Sequence, residues 1–466
     1  MKTNFQKYSI WKTFFSPVVL CLTFFITSCD SFLEVPLPNS QLTKTTVFQD
    51  YNTANAAMVD VFSKIRDRGL LTGTQFGISN YLGNYADELT FYGAPTSATF
   101  SFYNNTILPS NTTIAQFWNS SYNQIYAANM VLEGLGTTSF TAQHKAELEG
   151  EALFVRGLIH FYLMQLFGDI PYIRSTDYIA NNVAAKMSSE QVYLQIIDDL
   201  NTSSALLLPA YLTAERVRPN SFAVKSLLAR VYLYHQKWSE AEKMSSAVIE
   251  NNALYILEPN LAKVFLKGST EAIWQFMPSI VGKNTDEGAF FTFTSGPPAN
   301  VALSEPLINS FNSQDLRRSQ WVATVSNTRG TWYHAYKYKE PRVSATSNEY
   351  SIVLRLAEQY LIRSEARAQL GNLSGAREDL NKIRKRAGLT DITSNSKEEL
   401  LIDILSERRK ELFTEYGHRF FDLKRLGKLD EMLSSKPGWN STDKFLPIPE
   451  SELNVNPNLK PQNLGY

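Results

Sequence analysis

Toward the end of the chain, Glu407, Arg408, Glu411, Glu415, Arg419 and Asp422 recur at intervals of three and four residues. On a helix that spacing brings their side chains together. Paired carboxylates raise the chemistry of glycoside cleavage, where one carboxyl of raised pKa faces another across a cleft holding the sugar ring. These carboxylates instead sit along one helix, interleaved with Arg408, Arg409 and Lys410. That arrangement suits ion pairs that fix a fold, and no catalytic residue is assigned. Asp169, after Gly168, is read as a turn or cap residue for the same reason of local chemistry.

Aromatic side chains offer a different chemistry. A sugar ring has one face of C–H groups and an edge of hydroxyls. A flat ring covers the face, while Asn, Asp, Gln or Arg bind the edge through directional hydrogen bonds. The chain has 28 Phe, 23 Tyr and 7 Trp. Two stretches, 69–112 and 268–349, combine such rings with Gly, Ser, Thr and Asn and show little helical period. The first holds Tyr81, Tyr85, Phe91, Tyr92, Phe100, Phe102 and Tyr103, and the second Phe290, Phe291, Trp321, Trp332, Tyr333 and Tyr336. Loops this long are functional or disordered, and their aromatic content argues against disorder. Trp118, Trp238 and Trp274 fall in helical or strand-like apolar patterns and read as core.

Cys29 closes a leader with Lys2, Lys7 and Lys12 ahead of an apolar run from Phe14 to Ile26. The run is short for a bilayer span and sits where a signal-peptide core would. Ile26-Thr27-Ser28-Cys29 resembles a bacterial lipobox, so residues 1–28 are expected to be a lipoprotein signal peptide and 29–45 an acylated tether. Two or more acyl chains on one residue hold a protein stably on a membrane. The only other cysteine, Cys21, leaves with the leader, which removes disulfides and thiolate chemistry from the mature chain. Five scattered histidines, with no His-Glu-x-x-His spacing, give no zinc site, and no glycine-rich phosphate loop is present. No cofactor is expected and no metal ligand is assigned; loop carboxylates and carbonyls could supply oxygen ligands to a calcium ion, although no twelve-residue calcium loop is present. With 45 basic and 45 acidic residues, the surface is a poor partner for nucleic acid.

Helical periodicity recurs over 47–66, 114–135, 141–167, 188–208, 220–236, 239–251, 350–370, 373–387, 397–416 and 424–434. Ser188 with Gln191, Ser239 with Glu242 and Ser396 with Glu399 fit capping boxes. Gly371 and Gly388 are placed as helix stops. In 223–249, Leu228, Ala229, Tyr232, Trp238 and Ala241 fall at tetratricopeptide offsets, where small residues let two antiparallel helices approach. A weaker copy over 357–383 uses Ser364, Gly371, Leu373 and Ala376. The expected fold is mainly α: tetratricopeptide-like helical hairpin repeats in an α-α superhelix, with long irregular loop insertions.

Phe167-Gly-Asp-Ile-Pro171, after Glu151-Ala-Leu-Phe-Val-Arg156, resembles the N-terminal signature of the SusD/RagB family. Glu407-Arg-Arg-Lys-Glu-Leu412 and Gly417-His-Arg-Phe-Phe-Asp-Leu423 are similar to its C-terminal helix and turn. Leu446-Pro-Ile-Pro449, Asn456-Pro457 and Gln462-Asn-Leu-Gly-Tyr466 are similar to its ending. The resemblance implies an N-terminal SusD-like region over 46–267 and a C-terminal RagB/SusD region over 268–466, with the loops forming the ligand surface. It also implies an outer-membrane lipoprotein of the Bacteroidetes type, exposed at the cell surface. Such a protein captures glycan and delivers it to a SusC-like TonB-dependent transporter, without chemistry of its own. On that footing Tyr92, Phe102, Tyr103, Trp321, Trp332 and Tyr333 are expected to touch ligand. An oligopeptide-capturing protein of the same architecture and a surface glycoside hydrolase are the alternatives.

Overall fold

Polar caps set where the helices begin. In the computed structural model, which describes residues 44–466 apart from Thr137, Asp50 accepts from the Asn52 and Thr53 N–H groups to open α1 (Tyr51–Asp67). The leader and Cys29 lie outside the described residues. There follow α2 (Ile78–Tyr85), β1 (Leu89–Phe91), α3 (Ala98–Tyr103) and α4 (Thr112–Leu135). Next come α5 (Ala142–Phe167), α6 (Ser189–Leu206), α7 (Ser221–Tyr234) and α8 (Trp238–Ile249). The second half opens with β2 (Ala272–Phe276), β3 (Val301–Leu303), β4 (Val322–Asn327), β5 (Gly330–Ala335) and β6 (Ser351–Arg355). It closes with α9 (Leu356–Gln369), α10 (Leu373–Arg386), α11 (Lys397–Leu412), α12 (His418–Arg425) and α13 (Glu450–Val455).

From α4 to α10 each helix packs on the next, and α11 returns onto α9 and α10. This is the mainly helical, tetratricopeptide-like architecture. α5 is its axis, buried on every side from Gly150 to Phe167, as a helix apolar all round must be. Gly150 and Gly157 stand seven residues apart and make room for α6: an added Cβ would meet Leu207 at 2.7 Å or Leu200 at 3.0 Å. The charges that α5 carries inward are neutralised by neighbours, Glu151 by Arg218 and Arg156 by Asp199. In the repeat hairpins Ala229, Ala241, Ser364 and Ala376 are all sealed at helix contacts. Val47–Tyr466 forms one compact unit, in which Arg230 of α7 is bound by Glu358 of α9.

Several boundaries differ from expectation. Ser188 and Ser396 form their capping boxes, but α8 begins at Trp238 with no side-chain cap, so Ser239 already lies inside the helix. The expected 350–370 helix is β6 followed directly by α9, because Ser351–Arg355 pairs antiparallel with β2. The 397–416 helix stops at Leu412, and the 424–434 segment is divided by Gly427 at φ 66°. The irregular stretches contain short helices and two of the three two-stranded sheets, β1–β3 and β4–β5. Among the described residues no helix is long and apolar enough to cross a membrane.

Candidate functional site

The two irregular stretches meet where β1 pairs with β3 and β3 lies against the β4–β5 hairpin. Just past β1, the Tyr92 N–H donates to the Asn300 carbonyl at 2.7 Å, and its ring is 42 % exposed. Burial pushes the Tyr92 hydroxyl above its ordinary range, and a hydrogen bond with the Trp332 side chain partly offsets this. Trp332 lies against Gly296, where a Cβ would come within 2.1 Å of the indole. The Asn327 amide donates to the Gly296 carbonyl at 2.6 Å and keeps that loop in place. Tyr103 packs on Phe91 with ring centroids 6.3 Å apart, and the Lys436 ammonium stands 5.0 Å over its ring. Tyr92 and Tyr103 thus gather at one rim, with Asn300 and Arg329 exposed, while Trp332 is itself buried beneath Tyr92 at 8 % exposure and offers little ring surface of its own.

The other three rings are elsewhere. Phe102 is fully buried among Tyr81, Tyr85 and Phe117, because one residue along α3 turns the side chain about 100° from Tyr103. Trp321 is also fully buried. Its indole N–H donates to the Leu261 carbonyl at 2.9 Å, and Phe265 packs on it. Both expectations of ligand contact are therefore corrected: these rings have no surface to offer. Tyr333 follows Trp332 on β5, and successive strand residues face opposite ways. It is half-buried beneath Arg318, whose guanidinium lies 4.8 Å from the ring centroid.

Glu407 and Glu411 of α11 and Glu415 just beyond it are ion-paired. Glu411 is bound by Arg317, Arg355 and Arg386, Glu407 by Arg317 and Arg384, and Glu415 by Lys337 and Arg355. Arg408 holds Asp422 at 2.7 Å, and Arg409 and Arg419 both hold Asp87. Burial opposes the charge on Glu411, yet the three guanidinium groups outweigh it and keep the carboxyl well below its ordinary range. Glu407 and Glu415 are lowered for the same reason. Asp169 receives the N–H and hydroxyl of Ser189 and anchors the start of α6.

A second concavity was not singled out from the sequence. A cavity of about 270 Å³ lies between α4, Pro171, the short helix Tyr178–Asn181 and α13. Trp118, Tyr122 and Tyr126 line one wall at intervals of four along α4; that stripe of rings is the signal in the sequence. The Tyr122 hydroxyl donates to the Pro171 carbonyl at 2.9 Å. Tyr178, 68 % exposed, and the half-buried Glu452 stand around it. Burial pushes the Glu452 carboxyl up, and the Ser451 hydroxyl is its hydrogen-bond partner.

A family model described as "Starch-binding associating with outer membrane" matches residues 36–233, and one described as "SusD family" matches 322–466. A SusD-like protein of Formosa agariphila is 27 % identical over 425 residues, covering 78 % of this chain and 83 % of its own. A crystal structure of a SusD superfamily protein from Bacteroides vulgatus superposes with a TM-score of 0.79 at 22 % identity, over 90 % of this chain and 99 % of the other. A laminarin-binding SusD-like protein gives a TM-score of 0.77 at 23 % identity, over 90 % and 100 %.

Proposed function

We propose that this chain, which belongs to the SusD/RagB family, captures glycan at the outer membrane and delivers it to a SusC-like TonB-dependent transporter, held there by acyl chains on Cys29. The observation that carries the glycan reading is the convergence of the exposed Tyr92 and the half-buried Tyr103 on one rim, with the buried Trp332 of the other stretch supporting Tyr92 from beneath. Tyr92 and Tyr103 offer ring surface to a pyranose face, while Asn300 and Arg329 can bind hydroxyls at its edge. No chemistry is assigned to the site, and Glu407, Glu411 and Glu415, the carboxylates that could suggest it, are engaged by arginine and lysine. The starch and laminarin binding named for the family model and for one structural neighbour selects those polymers as first probes.

Calorimetric titration of the detergent-solubilised protein with laminarin, starch and other glycan oligosaccharides tests this. A ring stacked on a partner contributes about 0.5–1.5 kcal/mol beyond its buried area. Tyr92→Ala is therefore expected to weaken binding by roughly tenfold with an unchanged circular dichroism spectrum. Wild-type affinity in that variant would remove this site, and binding of peptides in place of glycans would replace the substrate class.

A further inference from the structure

The cavity beside α4 shares no residue with the Tyr92 rim, yet it has the same chemistry in a more enclosed form. Trp118, Tyr122, Tyr126 and Tyr178 supply rings, and Tyr126 is 42 % exposed and Tyr178 68 %. Asn119 and Glu452 supply hydrogen-bonding groups at its edge. At about 270 Å³ the cavity is slightly smaller than drug-sized ligand sites, which run from about 300 to 1,000 Å³. That size suits one or two sugar units better than a protein surface, since stable protein interfaces cover about 800 Å² per partner. Asn119 also lines a neighbouring polar cleft of about 530 Å³ between α1 and α4, with Asp60, Lys64, Asn123 and Gln124. A chain of sugars leaving the ring-lined cavity therefore has hydrogen-bonding groups along its path.

Charge narrows the ligand. No lysine or arginine lines the cavity, and its one ionisable acid, Glu452, pairs with no cation among the described residues. A uronate or sulfated sugar would meet like charge with nothing to neutralise it. We infer that the Trp118–Tyr122–Tyr126–Tyr178 cavity is a second saccharide site on the helical body, taking glycan units without acidic groups. This inference rests on the reading of the chain as a glycan-capturing protein.

The test titrates four full-length, detergent-solubilised proteins, each checked for folding by circular dichroism: wild type, Tyr92→Ala/Trp332→Ala, Tyr126→Ala/Tyr178→Ala and Glu452→Gln. The probes are laminarin, starch, xylan and mannan oligosaccharides, with oligogalacturonate as the acidic one. The exposed positions of Tyr126 and Tyr178 make their alanine variants safe for folding, which circular dichroism verifies. For a neutral glycan that binds, the wild type should fit two sites. The Tyr126/Tyr178 variant should lose one of them, or bind there at least tenfold more weakly, and Glu452→Gln should weaken that site several-fold. The Tyr92/Trp332 variant should keep it, and oligogalacturonate should not compete there. Identical site number and affinities in the Tyr126/Tyr178 variant overturn the inference. So does abolition of all binding by Tyr92→Ala/Trp332→Ala, an outcome that leaves the capture function standing. A wild type that binds none of the glycans overturns both.

Discussion

Glu411 accepts from Arg317, Arg355 and Arg386 in a site with no access to water, and Glu271 sits beside the last two of these arginines. Removing one partner from such a network leaves buried guanidinium charge without its counter-ion, at a cost of about 3–5 kcal/mol. Glu411→Gln is expected to lower the urea midpoint by that equivalent. Glycan affinity at the Tyr92 rim should change little, because none of these groups lines it. The same carboxylates set the acid limit. Glu407, Glu411, Glu415 and Asp422 bind protons more weakly folded than unfolded, so between the two pKa values the unfolded chain holds more protons and stability rises with pH. Their contribution is complete above the unfolded carboxyl values of about 4 and is lost as pH falls below them. Glu411→Gln should make the decline in stability below pH 4 shallower than in the wild type.

Two serines that look alike in the sequence separate at the level of the helix. Ser396 accepts from the Glu399 N–H at 3.2 Å and Glu399 reaches back, closing the capping box that opens α11. Ser239 follows the first residue of α8 and caps nothing. Ser396→Ala is expected to cost about 1 kcal/mol in chemical denaturation, whereas Ser239→Ala should cost nothing and gain about 0.3 kcal/mol from helix propensity. The contrast shows what kind of information sequence holds. Long periodic helices and their caps are local, so α4 to α8 could be read within a few residues. β6 could not: Ser-Ile-Val-Leu-Arg runs into α9 without a breaker, and what makes it a strand is β2, some 80 residues earlier. Ligand rings depend on facing as well as place. Phe102 and Tyr103 are adjacent in sequence, and only the packing of α3 on Tyr81 and Phe117 decides which is sealed. The stripe Trp118–Tyr122–Tyr126 was legible as spacing, but Pro171 and Glu452, which make it concave, come from other elements.

Across the whole molecule, the last twenty-one residues, 446–466, tie the two halves of the chain together. The Leu446 N–H donates to the Leu166 carbonyl at 2.8 Å, and the Asn463 amide donates to the carbonyls of Phe167 and Leu446. Asn456 and Asn458 donate to the carbonyls of Ala184 and Val183. Leu446, Ile448 and Leu459 are buried against the helical body. The Phe167-Gly-Asp-Ile-Pro171 and Leu446-Pro-Ile-Pro449 motifs, distant in sequence, thus meet at one contact bridged by Asn463. Three buried aliphatic side chains contribute about 1.5–3 kcal/mol each, and the hydrogen bonds about 1 kcal/mol each. The total matches the 5–15 kcal/mol that typically separates folded from unfolded chains. Deleting residues 446–466 is therefore expected to abolish the cooperative thermal transition seen by circular dichroism, while Asn463→Ala, which removes only the two amide bonds, should lower it by a few degrees. A truncated chain that still melts cooperatively near the wild-type temperature would mean that the segment lies on a helical body already stable without it.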